Sequence, residues 1–191
     1  MEVNYEGLRS YIHSFFAAIM GAMGFVPPIM LSFTPVPIVL QTLGVLLAGT
    51  VLGAKRGFLS MVVFLLVVAA GMPLLSGGRG GVSVFVGPTA GFLLSYPITA
   101  GLVGLLVHRF HSIKLWKILL VNLTVGIFLI YLIGVPVQAF VMHISVLTAA
   151  KFCLVYIPGD ILKAILASYL AYRLLKSPIS LQKVTKVTET H

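Results

Sequence analysis

The chain has 191 residues, of which 59% are hydrophobic and only 9% charged, and its formal net charge is +9. That composition excludes a soluble domain, which needs far more polar surface to stay dissolved. Apolar runs of about 20 residues indicate an integral membrane protein instead. Strands of a membrane barrel alternate apolar and polar residues, whereas Met61 to Ala70 is apolar without a break. The expected fold is therefore an all-α membrane protein.

In chain order, the pattern predicts six transmembrane helices: Tyr11–Val26, Val36–Ala54, Gly57–Leu75, Pro88–Val107, Leu115–Val135 and Gly159–Leu175. The first could be read as a signal peptide cut near Ala22-Met23-Gly24, but Glu2 and Glu6 stand before it with a single arginine. Pro136–Tyr156 is apolar yet carries His143, Thr148 and Lys151. It reads as a partly helical external lid, with a seventh span as the alternative. Residues 1–177 are expected to form one membrane domain, and 178–191 a short polar cytoplasmic tail.

The basic residues orient this arrangement. With both termini cytoplasmic, ten of the 13 lysines and arginines fall inside: Arg9, Lys55, Arg56, Arg109, Lys114, Lys117, Arg173, Lys176, Lys183 and Lys186. Only Arg79 and Lys151 fall outside, and Lys163 lies within the last span. The asymmetry follows the positive-inside rule and fits an even number of spans. The charge thus reflects topology and anionic lipid, and no nucleic-acid partner is expected.

Several chemistries lack their residues. There is no G-x-x-x-x-G-K-[ST] to cradle nucleotide phosphates. No His/Cys cluster offers a metal site, and no cofactor is expected. Cys153 is the single cysteine, in apolar surroundings, and reads as a packed thiol. Of four acidic residues, Glu2, Glu6 and Glu189 lie near the ends, so a two-carboxylate mechanism has no second carboxylate. No catalytic residue is expected.

The fourth acid is Asp160, in VYIPGDILKAILA, with Lys163 three residues on. That spacing puts both side chains on one helix face. A capping aspartate beside a snorkelling lysine is one reading. Charges inside a span are costly and mark function, which favours a ligand site.

The stretch GMPLLSGGRGGVSVFVGPTAGF, residues 71–92, falls outside between the third and fourth helices. Gly77, Gly78, Gly80 and Gly81 can fold closely over a ligand or swing as a gate. Arg79 is either a solvated loop charge or a fork for a carboxylate. Gly87-Pro88-Thr89 opens the fourth helix, whose free amides attract polar or anionic groups. In the second span, Gln41 is either a ligand contact or helix–helix glue.

Three motifs in order, VPIVLQTLGVLLAG, GMPLLSGGRGG…GPTAGF and YIPGDILKAILA, resemble the BioY family, the biotin-binding S components of energy-coupling factor (ECF) transporters. Ala90, Phe92 and Val39 depart from the commoner family residues Gly, Tyr and Thr. The resemblance implies a bacterial cell-membrane protein that captures biotin from outside. It also implies partners: a transmembrane coupling subunit and two cytoplasmic ATPases, which would account for the missing nucleotide motif. Ala18 and Ala22 form an A-x-x-x-A pair like the family's docking motif, with Ser14 and Gly21 extending the small surface. Small residues let a partner helix approach closely in lipid, and internal packing is the competing reading.

Biotin joins a ureido–thiophane ring to a valerate tail. Asp160 can accept from a ureido N–H, and Lys163 can donate to the ureido carbonyl or to the valerate. Phe85, Phe92, Tyr96 and Tyr156 are candidate apolar walls, with Gly87, Thr89, Gln41 and Arg79 as further contacts. A different small vitamin is the nearest alternative ligand. A membrane enzyme acting on lipid is more remote, and a purely structural subunit is disfavoured by Asp160 and Lys163.

Overall fold

The computed structural model of the chain describes residues 19–24, 29–31 and 34–176. Ser14, Ala18 and the tail 178–191 lie outside them. Residues 19–24 are helical, and a short antiparallel hairpin follows, β1 (Ile29–Leu31) with β2 (Thr34–Ile38). Its register sets Ile29 opposite Ile38 and Leu31 opposite Thr34. The hairpin corrects the expected start of the second span at Val36. Pro35 and Pro37 have no N–H to give an α-helical ladder, and a small two-stranded edge tolerates them.

Two helices come next, α1 (Gln41–Leu52) and α2 (Ala54–Ala69), joined through Gly53 at φ 79°. A helix that is apolar all round must be buried, and every residue of α1 except Thr42 is. A loop and a 3₁₀ turn (Val82–Phe85) lead to α3 (Ala90–His108). This helix packs on both α1 and α2 at short range. A Cβ at Gly49 would lie 2.5 Å from the Ala100 carbonyl oxygen, and one at Gly104 would meet the backbone of Gly53. Such close crossings are how helices associate in lipid.

The fifth predicted span is longer than expected. α4 (Leu115–Val121) passes through a π-helical turn (Asn122–Gly126) into α5 (Ile127–Met142) without a break. Pro136 lies inside α5, so the expected lid loses its first third to this helix. What remains is α6 (Val146–Leu154), capped by Ser145, whose Oγ accepts from the Thr148 N–H at 3.1 Å. It seats on α5 through Val135, Ala139, Ala149 and Cys153. α7 (Ile157–Lys176) follows at 59° to α6.

Among the described residues, Ala90–His108 and Leu115–Met142 are each long and apolar enough to cross a membrane; α6 with α7 adds a third candidate if the bent pair is one broken span. At 12 residues, α1 is about 18 Å long and falls short of the hydrocarbon thickness.

A buried polar cluster ties the middle of this bundle. Asn122 Nδ2 donates to Ser168 Oγ at 2.9 Å, and Thr50 Oγ1 lies 3.4 Å from Asn122 Oδ1. The ring of His108, at the end of α3, lies 3.0 Å from the Thr50 carbonyl oxygen.

Candidate functional site

Asp160 enters the bundle on the first turn of α7 rather than at its N-cap. The helix begins earlier, at Ile157, and the Asp160 N–H already bonds the Tyr156 carbonyl at 2.9 Å. Its carboxylate turns inward and is buried, as is Lys163. Lys163 Nζ donates to Asp160 Oδ1 at 2.8 Å. Thr42 Oγ1, the one residue of α1 not buried, donates to the same oxygen at 3.3 Å. The Tyr131 hydroxyl, from α5, donates to Oδ2. Three helices thus converge on one carboxylate. An acid so deep in an apolar bundle needs such donors, because an uncompensated buried charge is prohibitively costly.

Around this carboxylate lies a pocket. The start of α1 contributes Gln41 and Thr42, and the link from β2 contributes Val39. The loop contributes Leu75 and Arg79; α3 and the residue before it contribute Thr89, Phe92, Leu93 and Tyr96. Ile130 and Tyr131 close it from α5, and Tyr156, Asp160 and Lys163 from the α6–α7 corner. Phe92 and Tyr131 meet edge to face, with ring centres 6.1 Å apart. The mix of apolar walls with a few convergent polar groups suits a small organic ligand.

Of the residues singled out in the sequence, Asp160, Lys163, Arg79, Thr89, Gln41, Phe92, Tyr96 and Tyr156 share this pocket. Phe85 and Gly87 do not line it. Phe85, in the 3₁₀ turn, is partly buried and packs against the core instead. Gly87 sits behind that turn, and a Cβ there would meet Ser83. Gln41 turns out to hold the loop rather than another helix, its Nε2 donating to the Leu74 carbonyl at 3.0 Å.

The loop over the pocket is a built hairpin. Leu75 and Arg79 exchange both backbone hydrogen bonds, at 3.0 and 3.2 Å. Gly77 and Gly78 between them have φ of 81° and 68°, a left-handed pair that favours glycine. Gly81 ties the loop to the end of α2, its N–H bonding the Val68 carbonyl at 2.7 Å. Gly80 passes so close to the Met72 carbonyl that a Cβ would collide with it. The Arg79 Nε donates to the Ser76 carbonyl at 3.3 Å.

Of the small-residue pair expected to dock a partner, Ala22 is exposed and Ala18 lies outside the described residues. Gly21 departs from the expected surface: it is buried, with Leu74 over it.

Tyr131 and Thr42 are the polar partners that sequence reasoning passed over. Tyr131 stands in an apolar run 29 residues from its partner. The signal available was the acid itself, since a buried carboxylate requires donors and tyrosine is one of few within the apolar spans.

Helices long and apolar enough for a bilayer, gathered round a pocket with a buried ion pair, define a membrane protein that holds a small ligand. The sequence matches the BioY family over residues 6–179. It is 52% identical to a probable biotin transporter BioY of Bacillus subtilis, covering 83% of this chain and 86% of the relative. It is 36% identical to a biotin transporter BioY of Lactococcus lactis, covering 91% and 94%. The fold superposes with a TM-score of 0.87 on a crystal structure of the S-component for biotin from an ECF-type ABC transporter. That likeness, at 34% identity, covers 93% of this chain and 95% of the other. The chain belongs to the BioY family.

Proposed function

We propose that this protein captures biotin from outside the cell and delivers it for uptake, as the substrate-binding S component of an ECF-type transporter. The observation that carries the reading is the buried Asp160–Lys163 pair, which lines a pocket walled by aromatic and aliphatic side chains with a few further polar groups. The family supports the ligand, and the named functions of the relatives support the transport role. The protein is not itself an enzyme on this reading. ATP hydrolysis belongs to two cytoplasmic partner subunits, coupled through a transmembrane partner.

Donor and acceptor chemistry orients the ligand. The Asp160 oxygens accept from each of their three partners, and the only donors of ionised biotin are its two ureido N–H groups. The ureido ring therefore meets Asp160, where Lys163 can donate to the ureido carbonyl. The valerate carboxylate is repelled from Asp160 and turns toward Arg79 and Thr89, which line the same pocket. Arg79 spends its Nε on Ser76, which leaves its terminal amino groups for a carboxylate. Phe92, Tyr96 and Tyr156 cover the thiophane ring and chain.

The pocket opens at the start of α1, α3 and α7, whereas Arg109, Arg173 and Lys176 mark the opposite end. With the basic end cytoplasmic, the site faces outward, in a multi-pass protein of the bacterial cell membrane with six spans. The hairpin at Leu75–Arg79 would be the cover.

Calorimetric titration of the purified chain with biotin tests this, without ATP present. Binding should also raise thermal stability, by about 2.7 kcal/mol at a hundredfold excess over Kd. No heat and no thermal shift with biotin, but both with another vitamin, would transfer the proposal to that ligand.

A further inference from the structure

A second concavity lies on the outer face of the bundle, away from the pocket. It is an open groove between α2 and α3, lined by Ala54, Lys55, Phe58, Leu59, Ile98, Gly101, Leu102 and Leu105. Gly101, which has no side chain, leaves its floor open between the rims. Its rims, Phe58 and Leu59 on one side and Ile98, Leu102 and Leu105 on the other, are exposed. In a membrane protein such a surface faces hydrocarbon.

The groove has a charged end. Lys55 is exposed at its mouth, beside Leu105, because Gly104 packs on Gly53 and Ala54 there. Arg109 lies one helical turn beyond Leu105 on the same face and is also exposed. From this mouth the apolar floor runs about 10 Å along α3 to Ile98, toward the membrane interior. Among the described residues no acid lies near this end; the one described acid is Asp160, in the pocket. Lys117 over Phe110 and Trp116, and Lys176 over Tyr172, place basic–aromatic pairs at the same end, the arrangement of a membrane interface.

We infer that this groove is a binding site for an anionic phospholipid, with the phosphate at Lys55 and Arg109 and an acyl chain along Gly101. The shape favours a lipid over a partner helix. Close helix approach needs small residues at the rims, and these rims are bulky, with a single glycine beneath. A flexible chain can settle between them. The inference rests on the protein's being membrane-embedded and is independent of the ligand in the pocket.

The test reads bound lipid by native mass spectrometry of the full chain released from nanodiscs. The discs contain phosphatidylcholine and phosphatidylglycerol with identical acyl chains. Wild type should retain phosphatidylglycerol with a preference of about twenty-five-fold, from two cations each contributing about fivefold. Lys55→Gln with Arg109→Gln, both on the surface, should abolish the preference. Gly101→Leu should empty the groove of either lipid. A Cβ at Gly101 would lie 3.5 Å from Phe58 Cβ, ordinary contact, so the backbone need not move. Unchanged circular dichroism and elution establish that both variants fold. Equal retention of the two lipids by wild type would overturn the inference, as would undiminished phosphatidylglycerol in Gly101→Leu. So would a Gly101→Leu protein that keeps its lipid but no longer assembles with the coupling subunit, since a protein would then cover the groove.

Discussion

Asp160 is the residue on which the pocket turns, because three side chains from different helices spend donors on it. A carboxylate has about four lone-pair sites, so roughly one remains for a ligand N–H. The three donors hold the carboxylate aimed into the pocket, with an oxygen ready to accept. Asp160→Ala and Lys163→Ala each strand the other partner, and biotin affinity should fall by about 2–5 kcal/mol in calorimetry. Unchanged affinity in both folded variants would return the pair to a capping role. Tyr131→Phe keeps the ring against Phe92 and removes only the hydroxyl. It should weaken biotin by about 1.5–3 kcal/mol, the range for a hydrogen bond to a charged group. The pair was legible in the sequence because i,i+3 spacing is local. Tyr131 was not, because its partnership is made by the packing of α5 on α7, which no spacing within one helix reports.

At the scale of elements, sequence hydropathy located apolar segments better than their ends. The second span began late because Pro35 and Pro37 divert the chain into the hairpin, and the fifth ran on because Pro136 sits within α5. A proline in lipid can be accommodated within a helix, so it is an unreliable stop signal there. The glycine run was legible as a special backbone, and its two left-handed residues show what the glycines are for. Gly77→Ala with Gly78→Ala should cost the turn roughly 1–2 kcal/mol per residue. The loop would open more often while the helices stay intact. Release of radiolabelled biotin should accelerate with little change in Tm; an unaltered release rate would show that the hairpin is not the cover. Asn122 makes a milder case. Ser168 and Thr50 also donate to the Ala164 and Leu46 carbonyls, at 2.6 and 2.8 Å, so they keep partners without it. Asn122→Leu should therefore cost only about 1 kcal/mol in thermal unfolding and leave biotin affinity as it was.

The whole molecule has a ligand end, a basic end and, between them, outer faces that must meet either lipid or protein. Residues 19–24 divide sharply between these roles. Met20 is fully buried against the place where Gly44 lacks a side chain, and Gly21 and Gly24 lie under Leu74. Ala22, on the same turns, is exposed. The small-residue pattern alone could not make that division, because alanine spacing reads alike on an inner and an outer face. It is the packing of Leu74 that shows which side is taken. Ala22→Trp therefore adds bulk where no neighbouring core has to yield. Tm and biotin affinity should stay near wild type, while co-purification with the coupling subunit and cellular uptake of biotin are lost. A variant that unfolds early and no longer binds biotin would mean that this face packs within the chain, and the docking surface would then lie on another helix.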